Sequence, residues 1–317
     1  MALETAIRKL EPSREGLPIV YLVSVVHIGD SNYYAALQRF LDRQPLVLFE
    51  GIGAQDKDFG VDQGYSLQNE LAKALGLTFQ LAAIDYKRPN FENCDLTLAQ
   101  LLALFQASPA PKGKEGKAGA ASSQGKAEFQ ALFQAMEGAG FWGGLARIGV
   151  NLISSSPRLR AAVKVALAET LGDLPEDLEA AASISPGMAR LMQALLSARN
   201  EAVLKRIARE LRAPRPPKSI AVFYGAGHIP LLSQAICARL GYRPAGDMWR
   251  TAFKADPQAA GLSRFGVELL RGMIRLQLRQ LRQAARQGQT AQSPGQPDKT
   301  QAKEAKPSAP SKAVAGP

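Results

Sequence analysis

The stretch Ile19–Val26 reads IVYLVSVV, and His27 follows it directly. A run that is almost wholly apolar and rich in β-branched residues is typical of a strand buried on both faces, inside an α/β sheet. Apolar residues at helical spacing then predict a helix over residues 32–43. Leu46–Phe49, with the sequence LVLF, predicts the next strand, which ends at Glu50. This order predicts an α/β fold with a central, mostly parallel or mixed sheet flanked by helices.

The order of strand, helix and strand also predicts where polar strand ends lie. A right-handed crossover brings both strand ends to the same edge of the sheet, so we expect His27 and Glu50 to be near one another. A third strand is predicted over residues 79–84, and Asp85 follows it. Asp85 is either a third polar group at this edge or, because Lys-Arg-Pro follows it, a turn former.

The second of the chain's two histidines stands in a matching context. Ser219–Tyr224, with the sequence SIAVFY, predicts a strand that runs into Gly225–His228, with the sequence GAGH. The glycines let the backbone turn sharply. A helix that begins near Pro230 would direct free N–H groups at the same place. Each histidine therefore follows a predicted strand and precedes a predicted helix.

Two imidazoles and a carboxylate at one sheet edge are a ligand set for a divalent metal. Imidazole nitrogen and carboxylate oxygen suit ions such as Mn²⁺, Co²⁺ and Zn²⁺. We predict His27, His228 and Glu50 as metal ligands, with Glu50 as general base in the alternative assignment. Such a site is hydrolytic when one position stays open, because the metal lowers the pKa of bound water and polarises a carbonyl. The other interpretation is that each histidine is a hydrogen-bonded structural residue.

Composition limits the classes of function. The chain has 317 residues, a formal net charge of +11 and two cysteines without CxxC spacing. The separated cysteines favour a reducing compartment, and we find no signal-peptide pattern, so we predict a cytoplasmic protein. Much of the basic excess lies in residues 112–126 and near the C-terminus, so it says little about the substrate. No basic and aromatic pattern predicts nucleic-acid binding.

Shifts in composition predict how the chain is divided. The predicted segments are a polar leader (1–16), an α/β domain (17–253) with a flexible insertion (108–127) and a helical part (129–211), a segment with a basic amphipathic helix (254–286) and a disordered tail (287–317). Within the helical part, the glycine-rich stretch Gly138–Gly149 predicts either a mobile cap over the site or a helix–helix turn in the core.

The predicted basic helix spans residues 262–286. Arginines fall on one of its faces and leucines beside them. Such a helix is typical of attachment to a membrane surface, of self-association or of binding to an acidic partner. The alternative is a helix docked on its own domain, with its arginines in water.

Together these residues resemble the TraB/GumN/TIKI superfamily, whose members include pheromone-shutdown factors and Wnt-processing metalloproteases. The resemblance covers roughly residues 17–253. The matching features are two GxxH motifs at Ser24–His27 (with serine for the first glycine) and Gly225–His228, the strand-end Glu50, the pair Arg199-Asn200 and the segment from Asp85 to Leu96.

The resemblance implies an α/β fold with facing GxxH motifs and a divalent-metal hydrolase activity, with peptides or small molecules as substrate. On the hydrolase hypothesis we expect Glu50 to be catalytic, Arg199 to hold a substrate carboxylate or developing oxyanion, and Asn200 to position that group or to add a metal ligand. Tyr224 is an additional candidate for the site. A non-catalytic ligand- or peptide-binding protein of the same fold is the alternative.

Overall fold

The computed structural model describes residues 1–51, 61–107, 126–127, 129, 150–182, 191 and 193–292. Within them the strands are β1 (Ala2–Pro12), β2 (Ile19–Val25), β3 (Ile28–Gly29), β4 (Leu46–Phe49), β5 (Thr78–Phe79), β6 (Phe91–Asn93), β7 (Ser219–Gly225) and β8 (Tyr242–Lys254). The α-helices are α1 (Ser31–Leu41), α2 (Val61–Ala74), α3 (Gln80–Ala83), α4 (Leu98–Ala107), α5 (Val150–Ser155), α6 (Pro157–Ala182), α7 (Arg199–Glu210), α8 (Ile229–Leu240) and α9 (Arg264–Gln292). A π-helical segment, Gln193–Ala198, leads into α7, and a 3-10 turn, Ala226–His228, leads into α8.

The central sheet has six strands in the order β6-β4-β7-β2-β1-β8. The strands β6, β4, β7 and β2 run parallel, whereas β1 is antiparallel to both β2 and β8. The short strands β3 and β5 form a separate antiparallel pair. The predicted α/β fold with a mostly parallel, mixed sheet is therefore confirmed.

The two faces of this sheet carry separate cores, because alternate residues of a strand point to opposite faces. On one face, Val23 and Phe223 belong to a core with α1, α2 and α6. On the other, Leu22 and Val222 belong to a core with α7 and α8. Strands β2 and β7 are thus buried on both faces, which is why their sequences are continuous apolar runs.

The polar leader predicted over residues 1–16 is wrong. Residues Ala2–Pro12 form β1, which pairs with both β2 and β8. Leu3, Thr5 and Ile7 are buried, and the residues between them are not. An antiparallel strand with one face in water alternates apolar and polar residues, so β1 lacks the apolar run that marks β2.

The strand predicted over residues 79–84 is also wrong. Only Thr78–Phe79 is extended, and Gln80–Ala83 forms one turn of helix. The strand that continues the parallel sheet beyond β4 is β6, which pairs Val47 with Phe91. Its sequence, FEN, has no apolar run that would predict a buried strand.

The predicted C-terminal helix is confirmed, but its end is different. Helix α9 runs to Gln292, into the segment 287–317 that was predicted to be disordered. Residues 293–317, 108–125 of the predicted insertion and Gly138–Gly149 lie outside the described residues. In the part of the chain that the structure describes, no helix has the length and apolar character needed to cross a membrane.

Candidate functional site

The polar residues of the candidate site lie at the carboxyl ends of three neighbouring parallel strands. Glu50 directly follows β4, Asp95 lies two residues beyond β6, and the turn after β7 contains His228. The pair Arg199-Asn200 begins α7, and both side chains are buried against these strand ends. In open α/β sheets, ligands bind in the crevice outside the carboxyl ends of the strands.

Arg199 is the central cation of this cluster, and its side chain is only 4% exposed. Its Nε and Nη2 donate to the two carboxylate oxygens of Asp95 at 2.8 and 2.7 Å, and Nη2 also donates to Oε1 of Glu50 at 2.6 Å. Its Nη1 donates to the carbonyl oxygen of Leu195 at 3.3 Å and lies 3.3 Å from Nε2 of His228. Burial alone would lower the pKa of Arg199, but the two carboxylates raise it, so the guanidinium stays charged.

Glu50 is the anion that remains partly accessible, with 23% of its side chain exposed. Its Oε2 accepts a hydrogen bond from the backbone N–H of Gly225 at 2.6 Å. A β-carbon on Gly225 would lie 3.2 Å from this oxygen, so the glycine permits the close approach. Burial would raise the pKa of Glu50, but the charge of Arg199 and the Gly225 N–H lower it to about 2. Glu50 is therefore ionised at neutral pH.

Asp95 is the member of the cluster whose role the sequence did not reveal. Its side chain is fully buried and accepts hydrogen bonds from the N–H groups of Gly51 at 3.0 Å and Leu96 at 2.8 Å. The strand that places it, β6, is only three residues long, so no sequence pattern marked Asp95 as a strand-end residue.

The imidazole of His228 is held in one tautomer. Its Nδ1 lies 2.7 Å from Oδ1 of Asn200. A carboxamide oxygen only accepts hydrogen bonds, so Nδ1 carries the proton. Nε2 is then unprotonated, and its lone pair accepts from Nη1 of Arg199. Burial lowers the pKa of His228 to about 4, with Glu50 acting in the opposite direction, so the ring is neutral at pH 7. Its Nε2 lies 3.8 Å from Oε1 of Glu50.

His27 lies at the same edge of the sheet but is not part of the cluster. Strand β7 lies between β2 and β4, so the ends of those two strands are separated by two strand spacings, about 9–10 Å. The prediction that His27 and Glu50 are neighbours is therefore wrong. His27 is exposed, and its Nδ1 lies 3.3 Å from Oε1 of Gln68. A right-handed connection between two parallel strands places their ends at the same edge of the sheet. It does not determine whether another strand lies between them.

The two additional candidates have opposite outcomes. Asp85 is an exposed turn former, since its Oδ1 accepts from the N–H of Lys87 at 3.0 Å and its Oδ2 lies 3.3 Å from Nε of Arg88. Tyr224 is fully buried and belongs to the cluster. Its ring packs edge-on against the ring of His228, with centroids 5.4 Å apart, and so helps to fix the imidazole plane.

A divalent metal fits two of the three predicted ligands. Bonds of about 2.0–2.2 Å from nitrogen and oxygen allow donor atoms 3.8 Å apart, as in His228 and Glu50, to share one ion. Asn200 fixes the remote ring nitrogen, as outer-shell partners of metal-bound histidines do. However, Arg199 donates to both donor atoms, and His27 lies elsewhere. Among the described residues, no group of three His, Cys, Asp or Glu side chains is arranged to hold a metal.

Comparisons of this chain with protein-family models, with curated proteins and with solved structures find no match. The resemblance to the TraB/GumN/TIKI superfamily therefore rests on its motif residues alone. Of these, the structure brings together Glu50, Arg199, Asn200 and His228.

Proposed function

We propose that the chain is a hydrolase of the TraB/GumN type, with peptides among its candidate substrates, and that Glu50 and His228 hold one divalent cation. The proposal rests on the hydrogen bond between Asn200 and Nδ1 of His228, which leaves the lone pair of Nε2 beside an ionised carboxylate. Neutral imidazole and carboxylate suit Mn²⁺, Co²⁺ and Zn²⁺. When bound, such an ion lowers the pKa of a water molecule and polarises a substrate carbonyl.

The charge of the cluster supports a cation at this place. Two carboxylates, Glu50 and Asp95, face one guanidinium and a neutral imidazole, so the cluster carries one negative charge in excess at neutral pH. Buried unbalanced charge is costly, and a cation beside the partly exposed Glu50 would offset it.

Arg199 supplies a fixed positive charge for the substrate. Asp95 anchors its Nε and Nη2, and this anchor involves neither Glu50 nor His228. A cation at Glu50 and His228 would replace the contacts of Arg199 with those two residues. Its Nη1 could then donate to a carbonyl oxygen on which negative charge develops. Because Asp95 already holds the guanidinium, little reorganisation is needed in the transition state.

A non-catalytic ligand- or peptide-binding protein is the second candidate, and one observation favours it. Arg199 donates to Asp95, Glu50 and the Leu195 carbonyl, so its hydrogen-bonding capacity is used within the protein. Such a network is complete without a substrate. It gives Arg199 a structural role, in which it ties α7 to the strand ends, and this favours a protein without catalytic activity.

A hydrolysis screen separates the two candidates. The purified full chain is incubated with a peptide and ester library, with Mn²⁺, Co²⁺ or Zn²⁺ or with chelator. We expect metal-dependent turnover that Glu50→Gln and His228→Gln abolish. The matched control is Glu201→Gln, because Glu201 lies on α7 beside Asn200 but pairs with the exposed Arg239. Turnover that persists in Glu50→Gln would contradict the proposed hydrolase activity. So would a folded wild-type protein that shows no turnover with any of the three metals.

A further inference from the structure

Helix α9 presents an apolar face to the solvent. Four large side chains on it are exposed: Phe265 (78%), Leu269 (53%), Met273 (55%) and Leu276 (57%). Their spacings of four, four and three residues place them on one side of the helix. This exposed stripe extends for about 16 Å along the axis. Isolated exposed apolar side chains are ordinary, but a contiguous stripe indicates an interaction surface.

The same helix is attached to the domain through other residues. It packs along α6, where Arg271 and Arg275 both bond to Glu169, whose side chain is 7% exposed. Val267 and Ile274 are half-buried. Burial would raise the pKa of Glu169, but the two arginines lower it, so the carboxylate stays ionised and fixes the rotation of α9. The exposed stripe is therefore a fixed feature of the fold.

Basic residues accompany the stripe. Helix α9 contains six arginines and one glutamate. Arg264 and Arg279 are exposed, and neither has a carboxylate partner within 4.0 Å among the described residues. Arg279 follows Leu276 by three residues, so it stands beside the stripe on the helix surface. The face combines exposed apolar side chains with uncompensated positive charge.

We propose that α9 binds the surface of an anionic lipid bilayer, with Phe265, Leu269, Met273 and Leu276 inserted and with Arg264 and Arg279 at the lipid headgroups. The combination of an apolar stripe and flanking arginines is that of a helix lying in the plane of the interface. Arginines near an anionic leaflet gain electrostatic attraction. A second copy of α9 on this face would instead bring two strongly basic helices together. The proposal does not depend on the hydrolase activity.

Vesicle sedimentation with the full chain tests this proposal. Vesicles of pure phosphatidylcholine are compared with vesicles that also contain about 30 mol% phosphatidylglycerol. We expect pelleting with the anionic vesicles and little with the neutral ones. The variant Leu269→Gln/Met273→Gln/Leu276→Gln keeps every charge and a strong helix former at each position. It should lower the partition coefficient by at least about 100-fold, because each apolar side chain contributes roughly tenfold.

Two charge variants give a matched comparison. Arg264→Gln/Arg279→Gln should weaken anionic binding by roughly tenfold to thirtyfold. Arg212→Gln/Arg215→Gln removes the same charge from exposed residues outside α9 and should leave binding unchanged. Equal pelleting of the glutamine triple variant and the wild type overturns the proposal. A wild type that does not bind anionic vesicles also overturns it. If that wild type forms a dimer and the triple variant does not, the stripe is the interface between two copies of the chain.

Discussion

Replacement of Arg199 by glutamine should destabilise the fold far more than removal of a similar ion pair at the surface. Arg199 makes three hydrogen bonds to carboxylates, two to the fully buried Asp95 and one to Glu50. Charge-assisted bonds contribute about 1.5–3 kcal/mol each. Breaking a buried ion pair on one side costs about 3–5 kcal/mol, because the remaining charge is left uncompensated. We therefore expect Arg199→Gln to lower the free energy of unfolding by about 4 kcal/mol.

The chain contains a matched control for this change. Arg239 pairs with both carboxylate oxygens of Glu201 at 2.6 and 3.0 Å, but the guanidinium is largely in water. Exposed pairs contribute little, so Arg239→Gln should produce no measurable loss. The assay is urea unfolding at pH 7.5, followed by circular dichroism. Equal effects of the two substitutions would refute the assignment of Arg199 as the buried centre of the cluster.

A double-mutant cycle then isolates the pair of Arg199 and Asp95. Asp95→Asn removes the buried charge that Arg199→Gln leaves uncompensated. The double variant should therefore be more stable than the sum of the two single effects predicts, by about 2–3 kcal/mol. Strict additivity would mean that the bonds seen between these two side chains carry no coupling energy.

Two further predictions concern the same cluster. Burial lowers the pKa of His228 to about 4, from the usual imidazole value of about 6.5, so protonation favours the unfolded chain as the pH falls through this range. The free energy of unfolding of the wild type should therefore drop by about 3 kcal/mol from this source between pH 7 and 4. His228→Gln lacks this titrating group, so its free energy of unfolding, measured with urea at each pH, should fall less. An equal fall in the two proteins would contradict the prediction. Gly225→Ala should cost about 1–2 kcal/mol by displacing Glu50. Gly172→Ala, with open space around this position of α6, should instead raise the melting temperature. A Gly225→Ala variant as stable as the wild type would contradict the close approach of Glu50, and a destabilised Gly172→Ala variant would contradict the control.

The buried parallel strands could be predicted because burial on both faces requires a short, continuous run of apolar residues. IVYLVSVV, LVLF and SIAVFY coincide with β2, β4 and β7 to within one residue. Strand β1 could not be recognised in this way, because one of its faces is in water. Strand order was not accessible either, because the position of β7 between β2 and β4 depends on contacts between distant parts of the chain.

The sequence predicted most of the residues of the candidate site but not all of the contacts between them. Glu50, Arg199, Asn200 and His228 were proposed from motifs and do meet. Asp95 was missed as their partner because 104 residues separate it from Arg199 and no periodic pattern marks β6. The glycine of the second motif is needed for a reason other than the one expected. Gly225 has φ −52°, so it serves close approach by Glu50 and not an unusual backbone angle.

Metal binding by variants of the three predicted ligands and of Asn200 tests the central claim most directly. Isothermal titration with Mn²⁺ and Zn²⁺ is carried out on the wild type and on Glu50→Gln, His228→Gln, Asn200→Ala and His27→Gln. We predict one bound ion in the wild type, none in the Glu50 and His228 variants, and affinity about 10–100-fold weaker in Asn200→Ala. His27→Gln should bind like the wild type. A wild type that binds no ion, or a His27→Gln variant as defective as His228→Gln, would contradict a site centred on Glu50 and His228.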